Sequence, residues 1–135
     1  MNRNLFLGLL ILILSATGIC VAEIPNLVGN WTGSGPGYDE DLGYVDEADY
    51  SLNFSVTTQK DRIFNGNISY RVNGTEVVEG FAGAIGPDNE TIYIAEFNSG
   101  YDLGTIISKD EIEMIYIQDG DPTEVFAETL RRAAE

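Results

Sequence analysis

Apolar and polar residues alternate with a period of two along most of this chain, and no stretch of ten residues or more before residue 122 shows helical spacing. Residues 27–34 read as a first strand. Tyr50, Leu52, Phe54 and Val56 share one face of a second, against Ser51, Asn53, Ser55 and Thr57 on the other. Phe64, Gly66, Ile68, Tyr70 and Val72 face inward on a third, and residues 77–85 give a fourth, in which Gly80 and Gly83 mark bends or close approach. Residues 91–97 form a fifth that is apolar on both faces. Tyr101, Leu103, Thr105 and Ile107 give a sixth, and residues 111–118 a seventh. Short turns separate these strands. Asn73-Gly74 is the strongest hairpin signal, because a type I′ turn needs positive φ at both central residues. The pattern predicts an all-β, antiparallel, up-and-down meander.

Residues 122–135 read in two ways. Asp121-Pro122-Thr123-Glu124 carries an N-cap, a proline at the first helical position and an acid at the third, with Phe126 and Leu130 four apart. Val125, Ala127 and Thr129 also alternate with Phe126, Glu128 and Leu130. Seven strands leave two open edges and an eighth closes them, so we read the segment as the closing strand of a small barrel.

The first 22 residues have the layout of a secretory signal: a positive Arg3, a ten-residue apolar run over residues 5–14, and small side chains at Cys20 and Ala22 before Glu23. The expected organisation is a signal at 1–22 and a single domain at 23–135, with an acidic first loop at 35–49. The expected location is secreted or extracytoplasmic; the alternatives are an uncleaved membrane anchor and lipidation at Cys20. Cleavage removes the only cysteine, so a hydrophobic core must hold the fold without disulfides.

Composition narrows the chemistry. The chain has 22 Asp+Glu against 7 Lys+Arg, a net charge of −15, and no His. Nucleic acid needs clustered Lys/Arg, and an anionic membrane surface would repel this charge, so neither is an expected partner. Without His there is no Ser-His-Asp triad, Cys-His pair or imidazole metal site. Five N-x-[ST] sequons, at Asn30, Asn53, Asn67, Asn73 and Asn89, make glycosylation candidates. Alternation of Asn with Ser/Thr on the wet face of strands produces the same pattern.

Candidate sites follow from residues that break the pattern. Gly33-Ser34-Gly35-Pro36-Gly37 lacks the Lys of a phosphate loop and is followed by acids, so it reads as a flexible first loop. Six carboxylates lie between Asp39 and Asp49, and Asp39, Asp41, Asp46 and Asp49 are candidate ligands for a hard cation such as Ca²⁺; the other reading is a solvated acidic loop. No other cofactor is expected. Glu79 and Glu96 fall where alternation calls for an apolar residue. Either they point inward as polar anchors, or the strand phase is shifted. Trp31, Tyr50, Phe54, Tyr70, Phe81 and Tyr101 are the aromatic candidates for a ligand cavity, although such residues also fill barrel cores.

Eight short strands with Gly29-Asn30-Trp31 on the first, and the strand from Phe64 to Tyr70, resemble the calycin group of lipocalin- and avidin-type barrels. The resemblance implies a small barrel with Trp31 packed across its floor. It does not extend to a ligand: one Trp cannot reproduce the tryptophan-lined pocket of avidins, and no His is present for haem. The leading expectation is a non-catalytic binding protein for a small apolar or amphipathic ligand. The alternative is a structural cell-envelope protein with a filled barrel that meets envelope neighbours. A hydrolase using a carboxylate pair is the third reading.

Overall fold

The computed structural model describes residues 23–46, 51–72 and 74–134. Ten strands follow one another: β1 (Gly29–Ser34), β2 (Gly37–Asp39), β3 (Gly43–Val45), β4 (Leu52–Lys60), β5 (Ile63–Val72), β6 (Thr75–Ile85), β7 (Thr91–Glu96), β8 (Tyr101–Ser108), β9 (Glu111–Gln118) and β10 (Glu124–Arg132). β1 and β4–β10 pair antiparallel in sequence order, and β10 returns to β1, so eight strands close a barrel. No helix occurs among the described residues. The tail is the closing strand: it pairs with β9 over eight residues and with β1 from Thr129 to Arg132. Closure satisfies the backbone groups that an open meander would leave at two edges.

The acidic segment expected to be a loop contains a hairpin. β2 pairs with the first half of β10, Glu124 to Phe126, and β3 pairs only with β2. Pro36 supplies no N–H, so β1 and β2 cannot form one unbroken strand, but its carbonyl accepts from Ala127 N at 2.9 Å. A Cβ at Gly35 would lie 1.8 Å from the Ala127 carbonyl oxygen, which is why the crossing chain carries glycine there. Unpaired backbone at the start of β10 is thus covered by β2, which decides the local structure despite the acidic composition.

One half of the interior is packed solid. Trp31, Phe64, Phe81 and Leu130 are buried, with Phe81 stacked on Phe54 at 4.1 Å and edge-on to Phe64 at 6.1 Å. A Cβ at Gly83 would sit 2.4 Å from the Phe64 ring, so glycine there admits the aromatic cluster. The N-terminal segment straps this end shut. Leu27 N donates to Gln59 Oε1 at 2.8 Å, and Gln59 Nε2 returns a bond to the Pro25 carbonyl at 2.8 Å. Arg132 lies over the Trp31 ring at 4.1 Å and donates to the carbonyls of Val28, Asn26 and Lys109.

The phase of β8 corrects one expectation. Tyr101, Leu103 and Ile107 face out, while Asp102 and Gly104 are buried. Gly104 faces Met114, whose Cγ would lie 3.1 Å from an added Cβ. The interior is full at that level, and larger side chains are accommodated only outside. There Leu103 pairs with Tyr93 and Ile115, and Tyr101 with Ile117. The outer wall of β7–β10 exposes Tyr93, Leu103, Ile115 and Val125 in consequence, whereas the outer wall of β1, β4 and β5 carries Asn30, Ser55, Asn67, Asn53 and Ser69 in register.

Candidate functional site

The unstrapped end of the barrel opens into a cavity of about 500 Å³. Phe54, Ile68, Met114 and Phe126 line its apolar part, and Leu42 and Val45 of the β2–β3 hairpin stand at its rim. The remaining wall is acidic. Glu79 on β6, Glu96 on β7, Asp102 on β8 and Glu128 on β10 all line it, with Asp39 and Glu124 toward the rim. Register explains the convergence: Glu79 sits across from Ile68, Glu96 from Phe81, Asp102 from Tyr116 and Glu128 from Met114, each a pair directed to the interior. Glu79, Asp102 and Glu128 are 7%, 2% and 4% exposed.

These acids are linked by protons and tyrosines. Tyr70 donates its hydroxyl to Glu79 Oε1 at 3.2 Å. Glu96 and Glu79 are hydrogen-bonded side chain to side chain, which requires a proton between them. Burial pushes the Glu96 carboxyl up to about 9, helped by the neighbouring Asp102 and Glu79 charges and the bond to Glu79. Burial likewise pushes Asp102 up to about 8, with Glu128 and Glu79 adding repulsion. Tyr70 is raised to about 12 by burial and by Glu79, and Tyr116 is raised by burial and by Glu96. Tyr116 donates to Gln118 Oε1 at 2.8 Å. At the rim, burial and a hydrogen bond with Asp39 raise Glu124.

Of the residues selected from the sequence, Phe54, Tyr70, Glu79 and Glu96 line the cavity, and the two acids do point inward. Three do not belong to it. Trp31 closes the opposite end, where its indole N–H donates to the Leu27 carbonyl at 3.0 Å. Phe81 is fully buried in the aromatic cluster. Tyr101 faces outward because β8 is phased by Asp102 and Gly104. Tyr50 lies outside the described residues. Asp102, Glu128, Glu124 and Asp39 were missed as cavity residues. Glu128 carried the same signal as Glu79 and Glu96, an acid at an apolar position between Phe126 and Leu130. Asp102 was masked by the stronger apolar alternation of its outward neighbours.

Of the four acids selected for Ca²⁺, Asp39, Asp41 and Asp46 are among the described residues. Asp39 is buried, and its Oδ1 accepts from the backbone N–H groups of Asp41 and Leu42 at 2.7 and 2.8 Å. Asp41 and Asp46 are exposed, and Asp49 lies outside the described residues. Among the described residues, no group of three or more acidic side chains is arranged to hold a metal ion. The sequon residues Asn30, Asn53 and Asn67 are exposed on the polar outer wall, and Asn30 Oδ1 accepts from Ser55 at 2.8 Å. Asn89 is half-buried in the β6–β7 turn with φ of 64°, and Asn73 lies outside the described residues.

No protein-family model and no curated protein matches the sequence. The chain is similar in structure to a redesigned β-barrel, with a TM-score of 0.58 and 13% identity over 80% of this chain and 92% of that one. At such identity the likeness is one of fold.

Proposed function

We propose that this protein is a non-catalytic binding protein, exported from the cytoplasm, that takes a small amphipathic molecule into the open end of its barrel. The observation that carries the reading is the division of the interior: one end is packed and strapped, the other holds a cavity of about 500 Å³ with an apolar floor and a polar wall. Small-molecule sites combine these features at this size, the apolar surface giving affinity and a few polar groups giving orientation. A purely apolar ligand fits the acidic wall poorly, since it would leave Asp102 Oδ2 buried without a hydrogen-bond donor. Export is supported by the signal layout of residues 1–22 and by three exposed sequon asparagines on one outer wall. That polar wall also favours a barrel surrounded by water over one surrounded by lipid, because a spanning barrel is apolar all the way round.

Native mass spectrometry of protein purified from its own host tests the reading. The expected result is a defined extra mass that is lost on denaturation. A bare polypeptide, with glycan heterogeneity alone, would overturn it. The second reading, a structural envelope protein with no specific ligand, is favoured by the exposed apolar stripe of Tyr93, Leu103 and Ile115 on β7–β9, a surface on which a neighbour could pack.

A further inference from the structure

Resting on the binding role proposed above, we infer that the ligand is a small organic cation whose ammonium group is received by the inward carboxyls, with Asp102 as its principal partner.

The inference starts from what the cavity lacks. Asp102 is 2% exposed, lines the cavity, and its Oδ2 has no hydrogen-bond partner among the described residues. A buried, unsatisfied carboxyl oxygen is costly unless something donates to it. Among the described residues, the neighbouring inner walls do not answer it with a protein cation. Glu79, Glu96 and Glu128 face the same space, as do Tyr70 and Tyr116, and Glu124 and Asp39 stand above them. Arg71 reaches the lining only from an exposed position on β5, and the ion pairs among the described residues involve Lys109, Arg131 and Arg132 at the other end. The site is therefore built to receive positive charge from outside.

Geometry then selects the kind of cation. A hard metal ion needs several oxygens converging on one point. Here the acids are spread over four strands around the cavity, and no three acidic side chains among the described residues are arranged to share an ion. An ammonium group has three donors and can satisfy Asp102 together with one neighbour. Its carbon body would rest on Phe54 and Phe126, beside Tyr70 and Tyr116 in the same wall. Proton exchange gives a signature: carboxyls held protonated by burial and mutual repulsion must release protons when a cation takes their place.

Titration calorimetry on the folded chain tests this with phenethylamine and putrescine, the neutral counterpart 2-phenylethanol, and CaCl₂. At least one amine should bind, with proton release at pH 7 visible as a heat that depends on the buffer's ionisation enthalpy. Phenylethanol should bind roughly tenfold or more weaker. Asp102→Asn should weaken the amine by about the same factor while keeping a wild-type circular dichroism spectrum. Glu79→Gln serves as the second variant should Asp102→Asn fail to fold. Phenylethanol binding as tightly as the amine, with Asp102→Asn indifferent, would overturn the cation and leave the binding role standing. Ca²⁺ binding more tightly than both amines would also overturn it. Failure of both amines would overturn the inference too, while a neutral mass retained in the native spectrum would still uphold the binding role.

Discussion

At the strapped end of the barrel, the inward positions carry Trp31, Phe64, Phe81 and Leu130, none more than 2% exposed and all filling space. At the open end, inward positions of β6, β7, β8 and β10 carry Glu79, Glu96, Asp102 and Glu128 around a cavity. The same eight strands run through both ends, although β2 replaces β1 beside the start of β10 at the open end. The difference lies in the side chains and in what they cost. Apolar burial stabilises the first end by roughly 25 cal/mol per Å² of apolar surface removed from water. In the second, burial opposes the charged form of each acid, and neighbouring acids oppose each other. One end holds the fold together and the other is held in place by it.

The largest expected effect breaks the packed end. Phe81→Ala removes a ring that stacks on Phe54 and meets Phe64, in an interior with glycines already cut to fit it. A loss of about 3–5 kcal/mol is expected by urea denaturation. A loss below about 1 kcal/mol would mean that the cluster is not the centre of stability.

A smaller effect of different character sharpens the contrast at the open end. Glu96 and Asp102 have folded-state values near 9 and 8, above their ordinary values of 4.5 and 3.8. The folded state therefore binds more protons than the unfolded state between about pH 4 and pH 9. Their contribution to stability is fully present below the ordinary carboxyl range and is lost as the pH rises through 8 and 9. The melting temperature of the ligand-free protein should fall over that window, and Asp102→Asn should flatten the fall and raise the midpoint by several degrees at pH 9. A profile that rises with pH instead would contradict the burial of these groups.

The smallest effect concerns the strap. Arg132→Leu keeps an apolar stem over Trp31 but removes three hydrogen bonds to carbonyls and the charge 4.1 Å from the ring. A loss of roughly 1–2 kcal/mol is expected. The cavity end should be untouched, and amine binding by Arg132→Leu should equal that of wild type.

Particular residues show how far the sequence could be read. The strand pattern was legible because the period-two alternation of Leu52, Phe54 and Val56, or of Phe64 and Ile68, has a single physical reading: one face buried, one wet. Glu79 and Glu96 were legible as breaks in that alternation. Tyr101 was misread because β8 is apolar on its outer face, so the larger side chains pointed to the wrong wall. Phe81 and Trp31 were legible as buried aromatics, but nothing local separates a ring in the packed half from a ring in the cavity. That depends on where along the barrel axis each strand crosses.

Local chemistry acts between near neighbours in the chain, and it determined the strands, the turn at Gly74 between β5 and β6, the acidic balance and the isolated inward acids. Only closure decided the rest. Pairing β10 with both β1 and β2 set the stagger of the strands. Stagger brought Asp102 and Glu128 level with Glu79 and Glu96, lifted the β2–β3 hairpin over the mouth and left Trp31 at the far end. Those placements join residues from strands distant in sequence, and no property of a single strand records the register at which it meets the next.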